Sequence, residues 1–305
     1  MSEQADLIID VTSAALSKPG AADWMRQAVE LAGPYNCTIG VQVHNSASAE
    51  ELDLAAKSGF PLSFHAPVLG KYMMNLAAED ASVSWQMIDE QVALMRQYNV
   101  KRAVFHAALM TDQVVYAFGH GMTYQECMRQ VERPELQRGN GCVFSSNYTG
   151  CEEYLMRRER LKENLKKLRQ KYPQFCWCVE NDFPAFVAGV LRGEDLVALE
   201  HEVCFDTGHM WATCKMLDLD FYREMHTVLE SGRAGMIHLH SSRYTFDMPH
   251  HLWGDGHLPL NHPTTMDVAQ IIRCCRQNKL KHIVLEIADA SPDDIKTVLQ
   301  YYFEE

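Results

Sequence analysis

Short apolar runs alternate with longer amphipathic stretches along most of the chain. Eight runs of four to six residues are rich in Ile, Val, Leu, Phe and Ala, which is typical of buried strands. The predicted strands are Leu7–Val11, Thr38–Val43, Leu62–His65, Ala103–His106, Phe175–Glu180, Val203–Asp206, Met236–His240 and Ile283–Ile287.

Between and after these runs, apolar residues recur at helical spacing. The predicted helices are Ala21–Ala32, Ala47–Lys57, Val83–Tyr98, Glu152–Lys171, Phe186–Leu199, Leu219–Glu230, Thr264–Gln277 and Pro292–Phe303. Strands that alternate with helices indicate a parallel sheet built from βαβ units, and eight units close a barrel. We therefore predict an α/β fold, a (β/α)8 TIM barrel, formed by residues 1–305 as one domain.

One segment interrupts the alternation. Residues 111–150 separate the fourth strand from its helix, whereas such connections usually take only a few residues. In a barrel, an insertion at this point lies on the catalytic face. We predict that it covers that face, either as a lid over substrate or as a family-specific excursion.

Composition narrows the classes of partner. The net charge is −12 and the pI is about 5.6, so the chain lacks the cationic field that supplies most non-specific affinity for nucleic acids. Nucleic acid is therefore a disfavoured partner, and a small-molecule substrate is favoured. No apolar run approaches 18 residues, so we expect no membrane span.

The cysteines and the N-terminus indicate a cytoplasmic protein. None of the ten cysteines forms a C-x-x-C pair, and those in apolar runs behave as small hydrophobic residues. The first residues, MSEQADLIIDVTS, lack the basic segment and the long apolar stretch of a signal peptide. We expect reduced thiols and a cytoplasmic location.

Six of the predicted strands end in side chains that bind metals. These side chains lie at or just beyond the last residue of each run, and in a parallel barrel such ends meet at one mouth. The candidates are His65, His106, Glu180, Asp206, His209, His238, His240 and Glu286. Buried carboxylates need a positive partner, and carboxylates mixed with neutral imidazoles are ligands for zinc, manganese or iron.

Other histidines carry weaker signals. A single histidine at a strand end is more often a hydrogen-bonding residue than a ligand. His44 could reach the mouth or cap a turn, and His240 has serine neighbours that suggest a supporting polar role. His257, His262 and His282 have no supporting context and are predicted to lie on the surface or in loops.

At these residues the sequence resembles the xylose isomerase-like barrels, which include sugar isomerases and epimerases and the endonuclease IV-type AP endonucleases (family 2). The most specific segment is Phe205–His209, and the next is the seventh strand followed by HHLWGDGH. The resemblance covers nearly the whole chain in element order. It implies a TIM barrel with divalent metal and leaves a homo-oligomer open.

In the nuclease branch of this superfamily, three zinc ions share nine ligands. The resemblance implies one ion held by His65, His106 and Glu180, and a second held by Glu180, Asp206, His238 and Glu286. A third ion would use His209 and His250 with an aspartate two residues before that second histidine. Met248 stands at that position here, and Asp247 is one residue away.

In the isomerase and epimerase branch, a single metal is held by the equivalents of Glu180, Asp206, His238 and Glu286, a quartet that is complete here. The resemblance assigns proton transfer to Glu180 and Glu286. It assigns substrate contacts to His209 and to a cationic residue, for which we take Arg243.

These features support three chemistries. The first is a divalent-metal-dependent isomerase or epimerase of a small sugar-like or hydroxy-carbonyl compound, in which two carboxylates move protons at a metal-stabilised enediolate. The second is a multinuclear zinc or manganese hydrolase of phosphoesters, favoured by His65 and His106. The third is iron-dependent oxidation. The sequence ranks them in that order, with one to three ions of zinc, manganese or iron per chain.

Overall fold

Eight parallel strands close into a barrel in sequence order, because the first strand pairs with both the second and the eighth. The computed structural model describes residues 7–119, 122–123, 126–127, 129–131, 133–139, 141–185 and 187–304. The strands are β1 Leu7–Thr12, β2 Cys37–Val43, β3 Leu62–Ala66, β4 Arg102–Phe105, β5 Cys176–Glu180, β6 Val203–Asp206, β7 Ala234–Leu239 and β8 His282–Leu285. The predicted α/β barrel is confirmed, and every predicted strand overlaps an observed one.

Helices surround this barrel. They are α1 Ala21–Ala32, α2 Ala49–Lys57, α3 Ser82–Gln97, α4 Glu152–Lys171, α5 Gly193–Ala198, α6 Thr207–Leu217, α7 Phe221–Glu230, α8 Val268–Gln277 and α9 Pro292–Phe303. Capping side chains determine where several helices begin. At the N-terminus of α2, Ser48 and Glu51 form a reciprocal capping box. At α9, Pro292 occupies the first turn behind Ser291.

One predicted helix needs correction, and one observed helix was not predicted. The predicted helix Phe186–Leu199 is confined to α5, and its first residue, Phe186, lies outside the described residues. The helix α6 was not predicted at all. Nine of its eleven residues are buried, so the sequence shows no polar face and no amphipathic period.

An apolar layer fills the middle of the barrel. Alternate residues of each strand point inward, and five of them form a separate cluster with no exposed surface. The cluster consists of Val104, Cys178, Cys204, Met236 and Val284. It separates the mouth at the C-terminal strand ends from the opposite end of the barrel.

Described residues of the 111–150 segment pack against the loop that follows β5. The Tyr148 hydroxyl lies 3.1 Å from the carbonyl oxygen of Ala185 and 2.9 Å from that of Ala188. Arg133 forms a two-pronged ion pair with Glu153 in α4 at 2.8 and 3.0 Å. These contacts fix the segment beside the C-terminal ends of β4 and β5.

All ten cysteines are free thiols. Among the described residues, no helix has both the length and the apolar character needed to cross a bilayer.

Asp195, which is 1% exposed, ties α4 to the start of α5. Its carboxylate accepts hydrogen bonds from the Tyr154 hydroxyl and from the guanidinium groups of Arg158 and Arg192, each at 2.8 Å. Asp195→Ala should lower the free energy of unfolding by about 3 kcal/mol, because two arginines then lack a buried counter-charge. Denaturant titration followed by circular dichroism measures this loss.

The matched control is Asp53→Ala, since Asp53 forms only a solvent-exposed ion pair with Lys57 within α2. We expect that change to stay within about 0.5 kcal/mol of the unmodified protein. Equal effects of the two substitutions would contradict a structural role for the Asp195 network.

Candidate metal centre

Four side chains from consecutive strand ends meet above the apolar layer. The Nδ1 atom of His238 on β7 lies 2.9 Å from Glu180 Oε1 and 3.0 Å from Glu286 Oε2. The same nitrogen lies 3.8 Å from Asp206 Oδ2. Glu180, Asp206 and His238 have no exposed surface, and Glu286, just beyond β8, is 7% exposed. The predicted quartet is therefore assembled around one point.

Two histidines form a second group on the other oxygen of Glu180. His65 Nε2 lies 3.1 Å from Glu180 Oε2, and His106 Nε2 lies 3.8 Å from the same oxygen. The two carboxylate oxygens of Glu180 therefore face different groups: Oε1 faces the quartet and Oε2 faces these two histidines. The His106 ring is oriented by Asp182, whose Oδ1 lies 2.7 Å from His106 Nδ1. The other oxygen of Asp182 accepts backbone hydrogen bonds from Gly189 and Val190.

A third group lies next to the quartet. Asp255 Oδ2 lies 3.1 Å from His209 Nε2 and 2.9 Å from His257 Nε2. His209 also reaches back to the quartet, with its Nδ1 3.6 Å from Glu180 Oε1. Sequence reasoning missed Asp255 and placed His257 on the surface or in a loop. The signal was an aspartate two residues before a histidine, within a segment already recognised as specific.

Two predicted site residues lie elsewhere. His250 packs edge-on against Phe144, with its Nε2 3.3 Å from the carbonyl oxygen of Lys215. Arg243 is exposed, and its guanidinium lies over the ring of Tyr244. Neither side chain lines the cavity at the barrel mouth. His257, two residues after Asp255, lies beside His209 instead.

Three further histidines lie at the two ends of the barrel. His240 is buried, with its Nε2 3.3 Å from Asp206 Oδ2, and its ring stacks on that of His257 at 4.2 Å. His44 lies 3.6 Å from Glu286 Oε1 and so reaches the mouth. The surface prediction for His282 was wrong: it is buried at the N-terminal end, 2.8 Å from Asp10.

The three groups open into a cavity of about 440 Å³. One side of it is apolar and comes from the loops after β3, β4 and β5, including the 111–150 segment. These residues are Met73, Leu109, Phe118, Val143, Phe183 and Ala188. The other side carries Thr12, His44 and Ser46, together with the loop after β7.

Comparison with known proteins identifies the fold. No protein-family model and no curated protein matches the chain. A structure titled "Crystal structure of D-tagatose 3-epimerase-like protein" superposes with a TM-score of 0.56 at 14% identity, covering 98% of this chain and 97% of that one. Mannonate dehydratase from Streptococcus suis serotype2 superposes with a TM-score of 0.52 at 9% identity, covering 92% of this chain and 83% of that one. At these identities, the two superpositions show a shared (β/α)8 barrel fold.

In this barrel, the histidines stabilise the buried carboxylates. Burial acts to raise the pKa of Glu180, but the charges of His238, His106 and His65 hold it well below its usual value. Burial likewise opposes the charged form of Glu286, and His238 and His257 lower its pKa. Without another cation, protonated imidazoles supply the counter-charge.

The histidine pKa values show the reverse effect. Burial acts to lower the pKa of His209, but the charges of Asp206 and Asp255 raise it well above its usual value. Burial also acts to lower the pKa of His257. The negative charges of Asp255 and, to a smaller extent, Glu286 outweigh it and raise that pKa to about 10. The same atoms that bind these protons can bind a divalent ion, and metal binding then releases the protons.

The donor set fits a divalent metal. Glu180 Oε2 and Glu286 Oε2 are buried and make no hydrogen bond. Nitrogen and oxygen ligands of one tetrahedral ion lie roughly 3.3 Å apart, because each is about 2.0 to 2.2 Å from it. The separations of 2.9 to 3.8 Å within the groups are close to that spacing.

Removal of metal should therefore destabilise the protein. With chelator, four carboxylates around His238 and His209 lose divalent counter-charge, so we expect a lower melting temperature. Addition of Zn²⁺ or Mn²⁺ at 100 times the dissociation constant should restore about 2.7 kcal/mol. Differential scanning calorimetry of metal-free and reloaded protein measures both effects. A melting temperature that does not depend on metal would contradict the assignment.

Proposed function

We propose that this chain is a multinuclear metal-dependent hydrolase of a small phosphoester. The observation that carries the proposal is the position of Glu180, whose two oxygens face separate groups of histidines and carboxylates. A side chain placed in this way suits a ligand shared by two ions. The Asp255 group supplies a third set of donors in the same cavity.

The ligand groups follow from the contacts. His65, His106 and Glu180 would hold one ion. Glu180, Asp206, His238 and Glu286 would hold the second, since all three carboxylates lie within 3.8 Å of His238 Nδ1. The third ion would bind the Asp255 group, which consists of His209, Asp255 and His257.

Charge balance favours more than one ion. The three groups contain four carboxylates: Glu180, Asp206, Asp255 and Glu286. One divalent ion among neutral imidazoles leaves a net charge of −2 in a largely buried site, which is unfavourable. Two ions neutralise the carboxylates, and a third leaves a positive site that matches a phosphate dianion. None of the described cavity-lining residues is Lys or Arg, so the ions would supply that positive charge.

The chain's own residues position and shield the reaction. Divalent ions held in these groups would supply Lewis acidity for attack of water on the phosphoester. Asp182 fixes the direction of the His106 ring. The apolar side of the cavity limits access of bulk water to the charged groups. A cavity of about 440 Å³ admits a small molecule, and the charge of −12 disfavours a nucleic-acid substrate.

This proposal places the hydrolase above the isomerase, which the sequence alone ranks first. Met248 counted against a third ion site when His250 was its expected ligand. Asp255 and His257 remove that objection, since they provide the aspartate and histidine pair at another place in the loop. His65 and His106 are also not needed by a single-metal isomerase.

A second candidate is a single-metal isomerase or epimerase. Its support is the quartet itself, in which Glu180 and Glu286 approach His238 at 2.9 and 3.0 Å. Two carboxylates so placed can act as base and acid on a hydroxy-carbonyl compound. An epimerase-like protein and a dehydratase also share the fold.

Metal counting combined with two activity assays separates the candidates. The purified protein reloaded with Zn²⁺ or Mn²⁺ should contain two to three ions per chain by mass spectrometry and hydrolyse p-nitrophenyl phosphate. His65→Ala and Asp255→Ala should each remove one ion and lower the hydrolysis rate by at least about 100-fold, comparable to loss of a main source of electrostatic stabilisation.

The matched control is His262→Ala, because His262 is half-buried, does not line the cavity and has its ring Nδ1 2.9 Å from the carbonyl oxygen of Pro263. That variant should keep its metal and its activity. One ion per chain, together with interconversion of ketoses and no hydrolysis, would instead establish the isomerase.

The orienting role of Asp182 can be tested separately. Asp182→Asn keeps an oxygen near His106 but removes the charge, and its amide NH2 then faces the backbone N–H groups of both Gly189 and Val190. We expect affinity for the ion at His106 to fall by about 10- to 100-fold. Competition with a fluorescent chelator measures this change. Asp89→Asn, on an exposed ion pair, is the control, and an unchanged affinity in Asp182→Asn would exclude the orienting role.

A further inference from the structure

Sulfur ligands gather at the end of the barrel opposite the cavity. Cys176 and Cys178 are two residues apart on β5, so their side chains point to the same side of the strand. Their sulfur atoms lie 3.8 Å apart. Glu202, directly before β6, accepts a hydrogen bond from the Cys176 thiol at 2.6 Å. Cys176 is half-buried, Cys178 is buried and Glu202 is exposed.

We propose that Cys176, Cys178 and Glu202 form a second metal site, which takes a thiophilic divalent cation of the zinc class. Two sulfurs bound to one tetrahedral zinc lie about 3.8 Å apart, because each Zn–S bond is about 2.3 Å. The observed separation has that value, and the three potential ligand atoms all lie within 4.8 Å of one another.

The backbone leaves room for the ion. Gly235 on β7 faces this cluster, and a methyl group there would come within 3.2 Å of the Cys178 sulfur and 3.3 Å of a Glu202 oxygen. Zinc-bound sulfur and oxygen atoms lie roughly 3.5 Å apart, so Glu202 would move outward by about 1 Å when the ion enters. The Glu202 side chain is exposed to solvent.

The charges balance. Binding of a divalent ion displaces the two thiol protons to solvent, so the three ligands carry a charge of −3. The ion contributes +2. Arg102, at the start of β4, contributes +1, and its guanidinium interacts with Cys176, Cys178 and Glu202. The same guanidinium is anchored to the carbonyl oxygen of Gly235 at 3.0 Å.

The site is chemically distinct from the cavity at the mouth. Thiolates prefer soft ions such as Zn²⁺ or Cd²⁺, whereas the mouth offers only imidazoles and carboxylates. The apolar layer, to which Cys178 itself belongs, lies between the two ends. Cadmium bound to sulfur absorbs in the near ultraviolet, and cadmium bound at the mouth does not.

The experiment is a Cd²⁺ titration of the full chain, followed by thiolate-to-cadmium absorption. In the unmodified protein we expect a band that saturates at one Cd²⁺ per chain. Cys176→Ser should remove it. Glu202→Gln should weaken binding by on the order of tenfold or more, a loss at least as large as removal of an orienting partner. Gly235→Ala should also weaken it, since the added methyl group fills the space.

Cys37→Ser is the matched control, because Cys37 is also half-buried at the start of a strand and its thiol faces the carbonyl oxygen of Thr38. It should leave the band unchanged. Cys176 and Glu202 are partly or fully exposed, so their variants should fold, which circular dichroism checks. An equal band in Cys176→Ser and the unmodified protein, or no band at all, would overturn the proposal.

Discussion

Mutual repulsion of buried carboxylates is the constraint on which this structure depends. The closed barrel brings Glu180, Asp206 and Glu286 to one mouth, and a few ångströms of low-dielectric protein separate them. No packing of apolar neighbours can offset three such charges. The histidines at the ends of the neighbouring strands can offset this repulsion in two ways. They can be protonated and carry positive charge, or they can bind a cation together with the carboxylates. The need for positive charge near the carboxylates therefore explains why histidines surround them at the mouth of the barrel.

Glu180 is the point where this constraint acts most strongly. It belongs to β5 and has no exposed surface, and each of its oxygens faces histidines from other strands. The barrel can tolerate it because strand ends converge from all sides, which no open sheet edge would provide. The same convergence supplies the loop after β7, whose Asp255 and His257 complete the third group. The number of candidate ligands therefore depends on how many strand ends and loops the closed barrel brings to one mouth.

Much of this arrangement could be predicted from the sequence, and the failures have physical causes. The strands could be predicted because they are short apolar runs. The residues His65, His106 and Glu180 could be predicted because each is a polar side chain at the end of such a run. Asp255 was not visible, since a loop has no period against which a ligand stands out. His282 was misplaced because a polar residue at the start of a buried strand can point inward at the opposite end of the barrel.

Asp206 has two duties that no other side chain can combine. Its Oδ1 accepts the His209 amide at 2.6 Å and so begins α6, while its Oδ2 faces His238 and His240. Asparagine could begin the helix but would bring no negative charge, and glutamate could bring the charge but is too long to cap. The carboxylate that begins this helix therefore also lies at the edge of the candidate metal centre, and neither asparagine nor glutamate can replace it in both roles.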